Sequence, residues 1–387
     1  MRVPHNIGKG ILRMKRVLLA LSLLSSSAGA QLTTLANLST GETIGNVSHS
    51  DVRKLQPNEH PLNLPGVTTI DAPPEGFDPV NASDEELAYH GFPPRPDRNT
   101  ESTKFERWKK MVTTGKRIVP ILQQTNVFHG PAQRVKAANI ESDLSDLTSN
   151  ALASAIAKNW SGYVAFPGNN TTVNSVETQL TVPRALQPRG TCTGGWLSGS
   201  AWDGIDGWSS QDVLQAGVEF DAFCQGNNVS GNYYAWFEWY PAAATLITNF
   251  PVGPGDDLLI VVVPTSPTQA TVQMVNNTTV QWTPPIKFTA PAGVSLVGDS
   301  AEWAVERPLI GGAGGPLTNL DEFASAVFWN AAAGTKVGTQ LDIGSSSALP
   351  VNMVDANGAV LAFPEKLGDL SFIVHNESNG PKPRPVQ

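Results

Sequence analysis

The sequence predicts an all-β protein, an antiparallel two-sheet β-sandwich of lectin-like or jelly-roll type. After Asn159, short runs rich in Val, Thr, Tyr, Phe and Trp recur between clusters of Gly, Pro, Asn and Ser, and no convincing amphipathic helix separates them. About ten such runs in roughly 220 residues are typical of one sandwich or barrel domain. The runs are WSGYVAF, VNSVETQLTV, DVLQAGVEF, YYAWFEWY, LLIVVV, ATVQMV, TVQWTPPIKF, SAEWAVE, FASAVFW and SFIVH.

Two segments precede this domain. The stretch MKRVLLALSLLSSSAGA (Met14–Ala30) has a basic start, an apolar run and small residues at its end, the pattern of a secretory signal peptide. The apolar run is too short to span a bilayer, so we expect a secreted, extracellular protein with no membrane partner. We assign residues 1–30 to the signal peptide, 31–157 to a mostly irregular pro-segment and 158–387 to the β-sandwich domain.

The intermediate segment differs from the domain in charge. Residues 31–98 are rich in Pro, Asn and Ser and predict loops or disorder, whereas ESDLSDLTSNALASAIAK (Glu141–Lys158) predicts a short helix. From Lys158 onward the chain carries 9 Lys and Arg against 19 Asp and Glu, net −10, whereas residues 1–157 carry 17 against 15, net +2. This contrast suggests a removable pro-segment held partly by charge, with a flexible, solvated arm as the alternative.

The same composition limits the partners. The acidic domain offers no clustered basic surface, which argues against nucleic acid. Its two cysteines, Cys192 and Cys224, predict one disulfide in an oxidising compartment, and metal binding by two isolated thiols is the weaker alternative. Asn-X-Ser/Thr sequons fit a secreted glycoprotein. They begin at Asn46, Asn81, Asn159, Asn170, Asn228, Asn277 and Asn376.

Histidine usage narrows the chemistry. Five of the six histidines precede residue 130, so the domain contains only His375, which is best explained as a strand-end or tail residue. A Ser-His-Asp triad needs a positioned imidazole, and zinc hydrolases need several His or carboxylate ligands. The motif HExxH, the Asp-Thr-Gly or Asp-Ser-Gly pair and Gly-rich phosphate loops are all absent. We therefore expect neither a metal nor a cofactor.

Polar side chains share strand faces with aromatic ones. In DVLQAGVEF the two-residue period of a strand places Gln215 and Glu219 opposite the apolar residues. Such residues normally face water, but clustered exposed aromatics mark a groove, here one suited to a peptide or a sugar. The residues that could share one face are Gln215, Glu219, Trp236, Glu238, Tyr240 and Glu302, and the same period groups Trp202 with Asp206.

Five segments, in this order, resemble the glutamic peptidases, or eqolisins, a family of secreted acid proteases. They are NWSGYV from Asn159, AWDGIDGW from Ala201, LQAGVEF from Leu214, YYAWFEWYP from Tyr233 and GDSAEWAVERP from Gly298. The resemblance implies a two-sheet sandwich with a concave face, synthesis as a prepro-protein and activity at acidic pH. It also implies that Gln215 and Glu302 are the catalytic pair.

In this pair, Glu302 would take a proton from the attacking water and return it to the leaving amine, since a carboxylate with a pKa of about 4.3 is partly ionised in mild acid. Gln215 would donate a hydrogen bond to the oxyanion. Asp203, expected on the core side, and Glu219 depart from the residues usual in the family, and we expect Glu306 at a solvated strand end. Supporting roles in the cleft are assigned to Trp160, Trp202, Asp206, Glu219, Trp236, Glu238 and Tyr240.

We therefore predict a monomeric, pepstatin-insensitive acid endopeptidase made as a zymogen. Its partners would be protein and peptide substrates and its own pro-segment, acting as an intramolecular inhibitor. One alternative is a glycoside hydrolase or carbohydrate-binding sandwich, in which Glu238 and Glu302 flank a sugar bond and tryptophans stack on the sugar. A secreted interaction protein without catalytic activity is a third reading.

Overall fold

Two helices and twenty-six strands make up the computed structural model, which describes residues 58–135, 154–168, 170–186, 194–225 and 228–377. The N-terminal elements are α1 (Asp84–Tyr89), α2 (Ser102–Thr114), β1 (Glu59–Pro61), β2 (Thr68–Ile70), β3 (Lys116–Arg117), β4 (Leu122–Gln124) and β5 (Val127–Phe128). The sandwich strands are β6 (Ala155–Ala157), β7 (Trp160–Ala165), β8 (Val173–Thr181), β9 (Ala185–Leu186), β10 (Trp196–Leu197), β11 (Ser200–Ile205), β12 (Val213–Gln225), β13 (Asn228–Tyr240), β14 (Thr245–Ile247), β15 (Asp257–Ser266), β16 (Gln269–Asn276), β17 (Gln281–Trp282), β18 (Ile286–Thr289), β19 (Ala301–Glu306), β20 (Leu309–Ile310), β21 (Glu322–Phe323), β22 (Ala326–Thr335), β23 (Gln340–Asp342), β24 (Ala348–Val354), β25 (Val360–Gly368) and β26 (Ser371–Asn376).

The strands form two layers with mainly antiparallel pairing. The first sheet runs in the order β4, β14, β13, β12, β11, β19, β7 and β24. The second runs in the order β26, β22, β8, β15, β16, β18, β2 and β1. Strand β25 joins the layers by pairing with both β24 and β26. The predicted all-β antiparallel sandwich is confirmed.

Alternation along β12 shows how the sequence builds the core. Leu214, Ala216, Val218 and Phe220 are fully buried in the apolar cluster to which both sheets contribute. Burying one large apolar side chain is worth about 1.5–3 kcal/mol. A shift of β12 by one residue would turn its polar side chains toward the core. Burial of the apolar side chains therefore fixes the register of β12, and with it the positions of the polar side chains on the opposite face.

The N-terminal segment packs against the sandwich and extends both of its sheets. Strand β4 pairs with β14 at the edge of the first sheet, and β2 pairs with β18 in the second. Helix α2, which the sequence analysis did not predict, buries Phe105, Trp108 and Met111 in a cluster that includes Trp282. Because the added strands cover exposed edges, the segment behaves as part of the folded body.

Of the other predictions for the N-terminal part of the chain, one is wrong in part and the rest concern residues outside the described ranges. The helix predicted over Glu141–Lys158 is wrong at its C-terminal end, where Ala155–Ala157 form β6 and pair in parallel with β24; residues 136–153 lie outside the described ranges. The signal peptide and Cys192 also lie outside them, so cleavage and the disulfide stay predictions. Among the described helices, none is long and apolar enough to cross a membrane.

Candidate active site

Alternate residues of β7, β19, β11, β12 and β13 line the outer face of the first sheet. Because paired residues of neighbouring strands point to the same side, the register defines three rows across this face. The first row is Glu302, Gly204, Gln215 and Glu238. The second is Gly162, Ala304, Trp202, Gly217 and Trp236. The third is Trp160, Glu306, Ser200, Glu219 and Tyr234. We call these rows together the acidic face.

Gly204 leaves a gap between the two residues of the candidate pair. It is the register partner of both Gln215 and Glu302, so their Cα atoms lie two strands, or about 10 Å, apart. A Cβ atom at Gly204 would lie 3.0 Å from the Cβ atom of Gln215. The missing side chain therefore opens a space into which the Gln215 amide and the Glu302 carboxyl can both reach.

Glu302 is a buried acid close to the Ser300 hydroxyl, which donates its hydrogen bond to Asp299 at 3.0 Å. Glu302 is 0% exposed, and neither of its carboxyl oxygens has a hydrogen-bond partner within the described part of the chain. Burial raises the pKa of Glu302 well above its usual value because the charged form loses its hydration. The ordinary pKa expected from the sequence therefore does not apply to Glu302 in this closed state, where the carboxyl holds its proton more tightly than a carboxyl in water.

Gln215 holds a peptide carbonyl. Its Nε2 atom donates to the backbone oxygen of His129 at 2.5 Å, whereas its Oε1 atom has no partner among the described residues. A neutral amide that already binds a carbonyl oxygen is also placed to stabilise that oxygen if it becomes an oxyanion. The carbonyl comes from the N-terminal segment, which therefore occupies the site.

His129 is the main contact of that segment. Its ring stacks on Trp236 with centroids 3.7 Å apart and an interplanar angle of 1°. Nδ1 lies 2.8 Å from Oε2 of Glu238, and Nε2 lies 3.0 Å from Oε2 of Glu219. The backbone N–H of His129 donates to both oxygens of Glu238 at 3.0 and 3.1 Å. All four residues are almost completely buried.

The chain on either side of His129 is held across the acidic face. Strand β5 pairs with β20, and β4 pairs with β14. On the other side, the carbonyls of Gly130 and Pro131 accept hydrogen bonds from Asn159 Nδ2 at 3.3 and 3.1 Å. The backbone N–H of Gln133 donates to Asn159 Oδ1 at 2.7 Å. Residues 122–124 thus extend the edge of the sheet, and residues 127–133 then cross its acidic face.

Both carboxyl groups around His129 carry perturbed pKa values. Burial raises the pKa of Glu238 to about 7, and its contacts with His129 offset part of that effect. Burial also raises the pKa of Glu219 well above its usual value. Each acid can meet the ring nitrogen that faces it as a carboxylate or as a carboxylic acid, so the strength of the contact depends on the protonation of Glu219 and Glu238.

The tryptophans form the floor of the site. Trp160, Trp202 and Trp236 are at most 1% exposed, and the rings of Trp160 and Trp202 meet edge to face at 4.9 Å. Gly217 makes room for them, since a Cβ atom there would lie 2.5 Å from the Cβ atom of Trp202 and 2.9 Å from the ring of Trp236. Trp236 is therefore free to lie flat under His129.

Asp206 stands apart from the three rows. It follows β11 with a φ of 72°, in the left-handed region, and its carboxylate accepts hydrogen bonds from the backbone N–H groups of Val297, Gly298 and Asp299 at 2.7–3.0 Å. That loop leads directly into β19. Asp206 therefore orients the strand that carries Glu302. Among the described residues, the hydrogen bonds of its carboxylate go to this loop and not to the bound segment.

Glu306 corrects another expectation. It is 0% exposed rather than solvated, because β19 is a central strand between β7 and β11. Its Oε1 atom accepts a hydrogen bond from Asn159 Nδ2 at 3.0 Å. Asn159 is itself fully buried, so a glycan on this sequon has no room in the fold.

Two further sequence-predicted residues lie at the margins of the acidic face. Tyr240 is half-buried at the end of β13, its hydroxyl donates to the carbonyl of Ala313, and its ring is close to Gly130. Asp203 is fully buried on the opposite side of β11, as its parity predicted, between Trp303 and Ala216 in register. Asp203 therefore belongs to the core side and not to the site.

Comparisons with known proteins identify relatives of this chain. A profile of the Peptidase A4 family matches residues 158–375. Aspergillopepsin-2 from Aspergillus niger is 30% identical over 177 residues, which cover 46% of this chain and 58% of that protein. Scytalidopepsin B from Scytalidium lignicola is 29% identical over 158 residues, or 41% of this chain and 54% of that protein. The chain thus matches little more than half the length of these relatives.

Among solved structures, that of scytalido-glutamic peptidase with a transition state analog inhibitor is 23% identical, covering 57% of this chain and 98% of that one with a TM-score of 0.48. The family profile covers more than half of the chain, and its range contains every strand of the acidic face. The protein therefore belongs to the Peptidase A4 family, the glutamic peptidases or eqolisins that its sequence resembles.

Proposed function

We propose that the protein is a secreted acid endopeptidase that uses Glu302 and Gln215 to hydrolyse peptide bonds. The observation that carries the proposal is the Gln215 amide bound to a peptide carbonyl, across Gly204 from an unpaired Glu302. Gln215 would then bind the carbonyl oxygen of the substrate, and Glu302 would activate the attacking water. Membership of the Peptidase A4 family supports the same reaction class.

The reaction follows from these two groups. Glu302 in its ionised form takes a proton from water, whose oxygen attacks the carbonyl carbon. The carbonyl oxygen becomes an oxyanion, and the Nε2 atom of Gln215 stabilises it by a hydrogen bond. Glu302 then gives its proton to the amide nitrogen, the C–N bond breaks, and a carboxylic acid and an amine leave.

In the unprocessed chain, the segment from Leu122 to Gln133 would inhibit this reaction. It fills the acidic face and excludes water from Glu302, which raises the pKa of that carboxyl and so reduces the ionised fraction that could act as a base. The closed state raises the pKa values of Glu219, Glu238 and Glu302, so it binds protons more tightly than an open state would, and acidification does not by itself drive the segment out. Release of the segment would readmit water, lower the pKa of Glu302 and start processing.

The alternative reaction, glycoside hydrolysis, fits the geometry less well. Glu238 and Glu302 lie three strands apart in one row, which separates their Cα atoms by about 14 Å. Paired carboxyl groups of glycosidases lie about 5–9.5 Å apart, so these two side chains would have to lean toward each other to reach that range. Gln215 and Gly204 stand between the two acids, and Glu238 is already engaged by His129.

The test is acid-dependent processing of the full-length chain. Purified protein is brought from pH 7 to pH 3.5 in the presence of pepstatin and EDTA, and its fragments and the hydrolysis of acid-denatured haemoglobin are followed by mass spectrometry. We expect wild type to process itself and to digest haemoglobin, and Glu302→Gln to do neither. Equal digestion by Glu302→Gln would refute the proposal.

A matched control distinguishes loss of the catalytic carboxyl group from a general effect of removing one carboxylate. Glu365 is an exposed carboxylate on β25, far in sequence from the candidate pair, and Glu365→Gln should process as wild type does. Failure of both variants would indicate a folding defect, which near-ultraviolet circular dichroism would reveal. Digestion that pepstatin abolishes would contradict the assignment of the chemistry to this site.

A further inference from the structure

The surroundings of His129 form a closed pocket with its own chemistry. One wall is the flat face of Trp236, and two carboxyl groups on adjacent strands face the ring nitrogens at 2.8 and 3.0 Å. Glu219 and Glu238 are each at most 1% exposed. The pocket therefore matches a planar side chain that has polar nitrogen atoms on two edges.

The backbone of His129 places this pocket relative to the reacting bond. The carbonyl of the same residue is the one held by Nε2 of Gln215. A substrate bound in this way would present that carbonyl for attack and would keep its preceding side chain in the pocket. The residue in the pocket would thus contribute the carbonyl of the cleaved bond, and its own N–H would donate to Glu238 as that of His129 does.

Other side chains satisfy the pocket less completely. A Leu side chain would leave Glu219 without its imidazole partner and Glu238 with the backbone N–H alone, and each unsatisfied buried polar group costs about 1–3 kcal/mol. A Phe ring could stack on Trp236 but has no nitrogen for either acid. A Lys ammonium could reach the acids as a point charge, without the planar contact to the indole.

We propose that the pocket formed by Trp236, Glu219 and Glu238 is a specificity subsite that selects histidine at the residue whose carbonyl is attacked. The proposal rests on the proposed function and adds its substrate class, peptides with histidine on the acyl side of the cleaved bond. The N-terminal segment would then be held as a substrate is held, with His129 as the selected residue.

The first experiment tests this preference in catalysis. The full-length chain is activated at pH 4 and given a library of peptides prepared from a denatured proteome, and the residues that precede the cleaved bonds are identified by mass spectrometry. We expect histidine there at least about tenfold more often than leucine or phenylalanine, relative to their abundance, since each hydrogen bond to a charged group is worth about tenfold or more. Glu219→Gln should reduce the preference, whereas Glu365→Gln should leave it unchanged.

The second experiment does not depend on catalysis. In the full-length Glu302→Gln chain at pH 6, hydrogen exchange of residues 125–133 reports how firmly the segment is held. His129→Phe and His129→Leu should each increase the exchange rate at least about tenfold, and this effect should shrink when Glu219 is also changed to Gln.

The two readouts separate the possible failures. Cleavage that requires Glu302 but shows no excess of histidine would overturn the subsite while leaving the proposed function in place. Equal exchange in the Glu302→Gln chain with and without His129→Leu would overturn it as well. If no peptide is cleaved, the proposed function fails, and a His129-dependent and Glu219-dependent exchange rate would still support a pocket that selects histidine.

Discussion

Raising the pH should destabilise this protein, and Glu238 gives the size of the effect. Burial raises its pKa from 4.5 to about 7; nearby His129 lowers it, and Glu306 raises it further. A carboxyl with a higher pKa in the folded state binds more protons there than in the unfolded state, so stability present below pH 4.5 is lost as the pH rises through 7. At about 1.4 kcal/mol for each pH unit, Glu238 alone accounts for about 3 kcal/mol.

Glu238 is one of several acids with this behaviour. Burial also raises the pKa values of a group of carboxyls that are at most 7% exposed. These are Asp203, Asp206, Glu219, Asp221, Glu302, Glu306 and Asp321. Because a typical domain is stable by only about 5–15 kcal/mol, the sum of such effects should leave the protein most stable in acid.

The assay is urea unfolding of the full-length Glu302→Gln chain, followed by tryptophan fluorescence at pH values from 4 to 8. We expect the free energy of unfolding to fall steadily above pH 4.5. Adding Glu238→Gln should reduce the total fall by about 3 kcal/mol, whereas adding Glu365→Gln should not change it. A free energy that is constant or rises between pH 4.5 and 7 would refute the reasoning.

Three further predictions concern single residues. Gln215→Ala should lower kcat by about 10²–10³ with little change in KM, because it removes a donor to the oxyanion; an equal rise in KM would instead indicate a role in binding. His129→Ala in the full-length chain should accelerate self-processing at pH 5 at least about tenfold, since it removes two hydrogen bonds to buried acids, and unchanged kinetics would contradict the inhibitory role. Gly217→Ala should reduce the free energy of unfolding by about 1–3 kcal/mol through overcrowding at Trp202, as measured by urea unfolding. Its matched control, Gly314→Ala, adds a methyl group in open space and should have little effect.

Strand periodicity was sufficient to predict the polar face of the sheet. In β12 the apolar set is fully buried and Gln215 and Glu219 point to the other side, as the alternation of DVLQAGVEF indicates. Glu302 follows the same rule in β19. Local alternation is a property of the backbone, so a short segment carries all of the information needed for this inference.

Periodicity could not reveal which residues are neighbours. That Gly204 separates Gln215 from Glu302 depends on the pairing of β11 with both β12 and β19, the latter about a hundred residues away in the chain. The same limitation explains the error for Glu306. Its position near Pro308 indicated a strand end, but the pairing of β19 on both sides buries it.

His129 is the residue that the sequence analysis missed. Counting the histidines within the sandwich domain excluded those before residue 130, and nothing in the stretch VFHGP signals insertion between two acids that follow 90 and 109 residues later. Only the packed segment brings imidazole, carboxyl groups and indole together. The available indication was the difference in net charge between residues 1–157 and the rest of the chain. It predicted that the two parts are in contact but not which residues make the contact.

By itself, the sequence determined the all-β class, the polar and aromatic face, and the family to which the chain belongs, because each depends on local patterns of residues. The tertiary structure decided the row that places Gly204 between the candidate pair, the burial of Glu302 and Glu306, and the occupation of the acidic face by His129. Those features depend on contacts between distant segments and on the exclusion of water. Only the folded chain defines these contacts, and with them the pKa values of its acids.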